Sequence, residues 1–389
     1  MSIAARRLRR GHMVRSAPLR TDVRWVGDFF DSVGVNASYS RTVFDSMTVD
    51  QVAGYMQDVC ARHVRSLIEP TRDANNNIVA VTPTRFTRGL YNSYGIKTMP
   101  LFKPRDPYQK KPTGMSIDTY INTIVKPTID DHLDWVRTVP EMIGTGIDTL
   151  ENFNEIDRLL NNQDPAVFGP ESGNGVPYLW TQSAAMRSAH PNLKIHPMSL
   201  IGFNMHQDAP YLEKDVYGND IANSITLGVV HHYPENKKPE PDPALSDATW
   251  ETARFYPATA PTLNSTTLLL KLQHSAWYVT KGRWPIDMTE FNCDGITTEA
   301  TRAIYMPRML LEAFRIGIRR TYMYLLLNDN SGRRDLALYD GSPSLGYTPT
   351  ATALELKKLA TILADSAADY SPTPLGYTLG GVTSSLRKI

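Results

Sequence analysis

Apolar and polar residues follow two rhythms along the chain. Short apolar runs alternate with longer segments whose apolar residues lie three or four apart, and the alternation recurs about eight times. The runs that predict strands are residues 32–37 (SVGVNA), 62–68 (RHVRSLI), 96–102 (IKTMPLF) and 146–153 (GIDTLENF). Four more follow at 193–200 (LKIHPMSL), 225–233 (ITLGVVHHY), 284–291 (WPIDMTEF) and 320–327 (RTYMYLLL). Between strands, Thr48 and Gln51 form a capping-box pattern ahead of Val52, Tyr55, Met56 and Val59. Residues from about 298 to 317 place Ala303, Met306, Leu310, Ala313 and Phe314 on one helical face, and Gly317 falls where a helix would end. Pro307 within that face predicts a kink.

Strands alternating with helices imply parallel, right-handed βαβ units. Eight such units close most simply into a single (β/α)8 TIM barrel, an α/β fold, with a doubly wound open sheet as the alternative. No GxGxxG turn follows the first strand and no GxxxxGK[ST] occurs, which argues against nucleotide-dependent chemistry. The expected division is a basic N-terminal arm over 1–22, a barrel over 23–368 and a short strand-like C-terminal extension over 369–389. Residues 234–262, rich in proline and charge, are too long for a simple connector and read as a lid-like loop or a mobile excursion.

Composition narrows this only modestly. With 41% hydrophobic residues in 389, a sizeable core is available, and a net charge of +1 gives no overall field for nucleic acid or an anionic membrane. The local exception, RRLRR at 6–10, reads as a solvated tail. No apolar run approaches the length of a membrane span. No apolar stretch follows the arginines as in a secretory signal, so the expected location is cytoplasmic, or within a virion or other assembly. Cys60 and Cys293 form no metal or redox motif and are expected to be free thiols.

The candidate chemistry lies at strand ends. In a barrel enzyme, site residues project from the C-terminal ends of strands. Glu155 falls just past the fourth predicted strand and Glu290 near the end of the seventh. Two carboxylates at one barrel mouth are what glycosidic bond cleavage requires: one protonates the leaving oxygen, the other attacks the anomeric carbon or activates water.

With Asn154 before Glu155, Glu290 in DMTEFN, Arg65 in HVRSL, and His231 and Tyr233 in VHHYP, the chain resembles the clan A glycoside hydrolases over about residues 28 to 365. The resemblance implies a retaining (β/α)8 glycosidase acting on an oligo- or polysaccharide, with no metal or organic cofactor. Glu290 would be the nucleophile and Glu155 the acid/base, their carboxyl groups about 5–5.5 Å apart. Arg65 would keep Glu290 ionised, Tyr233 would orient it, and Asn154 would bind the sugar 2-hydroxyl. His231 would share the substrate face with Tyr233.

Three positions depart from the clan's pattern. Ile156 stands where proline usually follows Asn-Glu. The first strand ends in NASYS without a histidine, leaving Asn36, Ser38 or Tyr39 to bind sugar hydroxyls. The tryptophan platform after the eighth strand is missing; the chain offers only Tyr322, Tyr324 and Leu325 to Leu327 there, with Tyr324 the candidate to bind substrate. Trp250, in the 234–262 segment, and Trp180 are candidates to stack on a sugar face, with a core or loop-anchoring role as the alternative. A different class also fits: a carbohydrate-binding barrel with little turnover inside a larger assembly such as a bacteriophage tail. A Schiff-base lyase fits poorly, because Lys97 and Lys194 sit early in their strands.

Overall fold

The structure, a computed structural model, describes residues 26–75, 77–82, 84–102, 112–116, 119, 122–123, 126–152, 154, 176–197, 199, 223–232, 285–292, 298–315, 317–328, 334–342 and 344–364. The expected N-terminal arm, the 234–262 excursion and the C-terminal extension lie outside them.

Eight parallel strands form the barrel: β1 (Val33–Asn36), β2 (His63–Arg72), β4 (Lys97–Phe102), β5 (Thr149–Glu151), β6 (Lys194–His196), β7 (Gly228–His232), β8 (Ile286–Phe291) and β9 (Thr321–Met323). Each matches one predicted run. They are ordered β6-β5-β4-β2-β1-β9-β8-β7, so the first and last barrel strands are neighbours. Between β6 and β7 the described residues form no ladder. There the ring is joined by the approach to β7: Thr226 and Leu227 donate backbone N–H groups to the Ile195 carbonyl, and Ile195 N–H donates to Thr226 Oγ1 at 2.6 Å.

Helices α1 (Val26–Asp31), α2 (Val49–Asp58), α3 (Thr84–Tyr94), α4 (Lys126–Ile143), α5 (Val176–Ala189), α6 (Glu299–Arg315) and α7 (Ala351–Leu363) alternate with the strands. The capping box of α2 forms as predicted, Thr48 and Gln51 bonding each other's backbone N–H. The α6 helix runs through Pro307 as one element. It ends at Gly317 with φ +91°, where Gly317 N–H reaches Phe314 O and Ile318 N–H reaches Ala313 O. That bond pair is the Schellman arrangement, and its left-handed residue favours glycine.

Period-two alternation explains how the layers divide. On β1, Val33 and Val35 face outward into a core with Val52 and Met56 of α2, Met306 and Leu310 of α6, and Leu356 of α7. A second core joins Trp135, Val136 and Val139 of α4 to Phe102, Leu150, Ile195 and Met186. Burying each such side chain is worth about 1.5–3 kcal/mol. The intervening residues face the barrel axis. Gly34 leaves room there for the buried Tyr322 ring: a Cβ at Gly34 would stand 2.6 Å from it.

Two features were not foreseen. The β2 strand runs to Arg72 and folds back through β3 (Ile78–Thr82), an antiparallel pair beyond the end of the barrel ladder. Past β9 the chain makes a bridge at Leu327 with Tyr339 and then a hairpin, β10 (Tyr339–Ser342) and β11 (Gly346–Pro349). No helix among the described residues is long and apolar enough to cross a membrane.

The barrel floor, at the strands' N-terminal ends, is plugged by charge. Arg320 makes a two-pronged pair with Asp148, both contacts 2.7 Å, and Lys97 adds a third at 3.2 Å. Arg319 grips Asp287 through Nε at 2.7 Å and through Nη2, and His196 Nε2 lies 2.9 Å from Asp287.

Candidate active site

At the opposite, C-terminal end, side chains from β1, β5 and β8, and from Asn154 just past β5, meet on one guanidinium carried by β2. Arg65 of β2 donates from Nε to Glu151 Oε2 at 2.5 Å and from Nη2 to Glu151 Oε1 at 3.0 Å. Its Nη1 reaches Glu290 Oε1 at 2.7 Å and Asn36 Oδ1 at 2.9 Å, and its Nη2 also reaches Asn154 Oδ1 at 2.5 Å. Burial works against the charge of Arg65, but the Glu151 and Glu290 carboxylates outweigh it and hold its pKa above the ordinary value. The cation is permanent.

Each partner is fixed by its own strand. Asn36 ends β1 opposite Arg65 in register, and its amide nitrogen donates to Thr289 O at 3.0 Å and Tyr322 O at 3.3 Å. Its side chain thereby ties β1 to β8 and β9. On β5, Thr149 and Glu151 share the inward face while Leu150 enters the outer core. Asn154 follows three residues later, and Ser199 Oγ lies 3.4 Å from its Oδ1.

Glu290 reaches the site through an irregularity in β8. Strict alternation would put it on the outer face with Ile286 and Met288. One extra residue is accommodated in β8 after Met288, against both β7 and β9: Met288 pairs Val230 and Glu290 pairs His231, while Met288 pairs Thr321 and Phe291 pairs Met323. The bulge lets Thr289 and Glu290 both turn inward and sends Phe291 into the outer core. Bulges re-aim side chains in this way. His231 completes the cluster: its Nε2 lies 3.1 Å from Thr289 Oγ1 and its Nδ1 3.7 Å from Glu290 Oε2.

Of the predicted site residues, Asn36, Arg65, Asn154, His231 and Glu290 are therefore brought together. Tyr324 lies just past β9, packed on Leu325, Leu336 and Ala337, with its N–H on Phe291 O, the residue after Glu290. Asn292 donates to the Tyr324 carbonyl and, at 2.9 Å, to Leu336 O. Glu155, Tyr233 and Trp250 lie outside the described residues, and Trp180 falls within α5. Glu151 and Thr289 were missed. Their signal was an acid and a hydroxyl on inward positions of buried strands, overshadowed by the neighbouring Asn154-Glu155 and by Glu290. Among the described residues, no group of three His, Cys, Asp or Glu side chains is placed to hold a metal ion.

No protein-family model matches the chain, and no curated protein does. Solved structures do. The chain is similar to a family 39 glycoside hydrolase from the gut symbiont Bacteroides cellulosilyticus, with TM-score 0.56 and 14% identity over 86% of this chain. It spans 65% of the length of that enzyme. A beta-glucosidase from Exiguobacterium marinum matches with TM-score 0.56 and 10% identity, covering 89% of this chain and 100% of its own. The virulence factor SghA from Agrobacterium tumefaciens matches with TM-score 0.51 and 12% identity, over 86% of this chain and 98% of its own. At such identities the likeness is one of fold, the (β/α)8 barrel described above.

Proposed function

We propose that this protein is a retaining glycoside hydrolase, cleaving O-glycosidic bonds of an oligo- or polysaccharide by double displacement, with Glu290 as nucleophile and Glu155 as acid/base. The observation that carries the reading is the grip of one guanidinium on two strand ends. Arg65 holds Glu290, on the seventh barrel strand, and Asn154, just past the fourth, at 2.7 and 2.5 Å. Asn154 precedes Glu155 in the chain, so the backbone of the proposed acid/base starts one residue from that point.

The chemistry follows from these positions. Arg65 favours the ionised Glu290 and fixes one carboxylate oxygen, while His231 faces the other. The Glu290 carboxylate attacks the anomeric carbon as Glu155 gives its proton to the departing oxygen, forming a glycosyl-enzyme ester. Glu155, now a carboxylate, takes a proton from water as that water attacks the anomeric carbon and releases Glu290. Asn154 has its amide oxygen on Arg65 and so presents its NH2 as the donor, the group a sugar 2-hydroxyl oxygen accepts from.

The test is chromophore release from a panel of aryl glycosides. Glu290→Gln and Glu155→Gln are each expected to lower turnover about a thousandfold or more with melting unchanged. Azide should rescue Glu290→Ala with an inverted glycosyl azide and Glu155→Ala with a retained one. Full activity of either glutamine variant overturns the assignment, and sugar binding without release from any substrate would favour the binding-barrel reading.

A further inference from the structure

Arg65 has five N–H donors, and all five are engaged within the protein: two on Glu151, one each on Glu290, Asn36 and Asn154. It therefore has no hydrogen to offer a substrate, and its influence passes through its partners. The largest share goes to Glu151, which has no exposed surface and meets the guanidinium with both oxygens. Glu290 receives one contact from the same cation. Glu151 Oε1 also accepts from the Thr289 hydroxyl at 3.2 Å. That hydroxyl has one proton, so the His231 Nε2 beside it must carry the hydrogen that joins them. One buried carboxylate thus sets both the Arg65 fork and the His231 tautomer.

We propose that Glu151 is a positioning residue of this site: it is the counter-ion of Arg65, so that Arg65 grips Glu290 by hydrogen bonding without cancelling its negative charge. One cation between two carboxylates leaves the trio with a net charge of −1. A bare arginine beside Glu290 would instead neutralise it, holding the carboxylate in place while weakening it as a nucleophile. Among the described residues, Arg65 on β2 and His231 on β7 face Glu290 directly, and Asn36 on β1 and Glu151 and Asn154 at β5 meet the same guanidinium. The role of Glu290 as nucleophile rests on the proposed function, whereas its electrostatic linkage to Glu151 does not.

The titration of Glu290 reads the linkage directly, by carbon-13 NMR of protein labelled at the glutamate carboxyls, with the Glu290 signal assigned by its loss in Glu290→Gln. In Glu151→Gln the Glu290 midpoint is expected to fall by about 1 to 3 pH units, the effect of an unshielded opposite charge at this range. In the double variant Arg65→Gln/Glu151→Gln both charges leave together, and the midpoint should stay within about half a pH unit of wild type. An unchanged midpoint in Glu151→Gln overturns the proposal. So does a rise of more than about one pH unit in the double variant, because Arg65 would then have acted unshielded. Should Glu151→Gln fail to fold, the double variant decides alone, since removing a whole buried pair is tolerated better than removing half. On an active substrate the acid limb of kcat/KM should move with the NMR midpoint, which a merely structural loss would not cause. A protein that releases no sugar yet shows the shift loses the proposed function and keeps the linkage; the reverse result loses the linkage alone.

Discussion

Asp287 has no exposure to solvent and yet is charged. Burial pushes its carboxyl up, but Arg319 and then His196 outweigh burial and hold it well below the usual carboxylate range. Asp148 follows the same balance, with Arg320 as the main opposing partner. His63 goes the other way for a base: burial, only partly offset by its bond to Asp31, pulls it below its ordinary value. In each case the unfolded chain binds its proton at a higher pH than the folded one, so acid favours unfolding. The His63 contribution begins to fade below about pH 6.5 and those of the two aspartates below about pH 4. Unfolding free energy measured in denaturant should therefore decline in two steps between neutral pH and pH 3. Asp287→Asn should cost about 3 to 5 kcal/mol at pH 7, by stranding Arg319, and flatten the lower step. Equal stability at pH 7 and pH 3.5 would contradict this reading.

The helix ends and the strand positions were legible from sequence because short-range bonds and alternation decide them. Thr48 and Gln51 lie three residues apart and cap α2 wherever it packs. Gly317 ends α6 for an equally local reason, and Gly317→Ala is expected to lower stability by about 1 kcal/mol, read as a lower melting temperature. A melting point equal to wild type would mean the helix ends elsewhere. The direction of Glu290 was not legible in this way. Its place beside Met288 assigns it to the outer layer, and only the bulge, a joint property of the β7 and β9 ladders, turns it inward. The resemblance named the residue without supplying that cause. Glu151 stayed hidden for a related reason: an acidic residue in a three-residue strand means little until Arg65, far away in sequence, is placed against it. The β2–β3 and β10–β11 pairs were missed because short strands with exposed faces carry weak alternation.

Among the described residues, the barrel is a hoop with one thin joint. Seven parallel ladders link its eight strands, and the β6–β7 gap is held among the described residues by Thr226, Leu227 and Ile195. On one side of the gap stand β5 and β6, on the other β7 and β8, so the proposed acid/base and nucleophile belong to opposite jaws. Arg65 is rooted on β2, across the ring from the joint, and reaches both jaws at once through Glu151 and Glu290. Mechanically it is a tie-rod. A hoop whose tie is cut spreads at its thinnest point, so Arg65→Met should speed hydrogen exchange at the Ile195 and Leu227 amides relative to those of β1 and β9. Unchanged exchange would mean the joint holds unaided. If the tie carries load, the span between the two proposed catalytic glutamates is set from the far wall of the barrel, by a residue whose donors all bond within the protein.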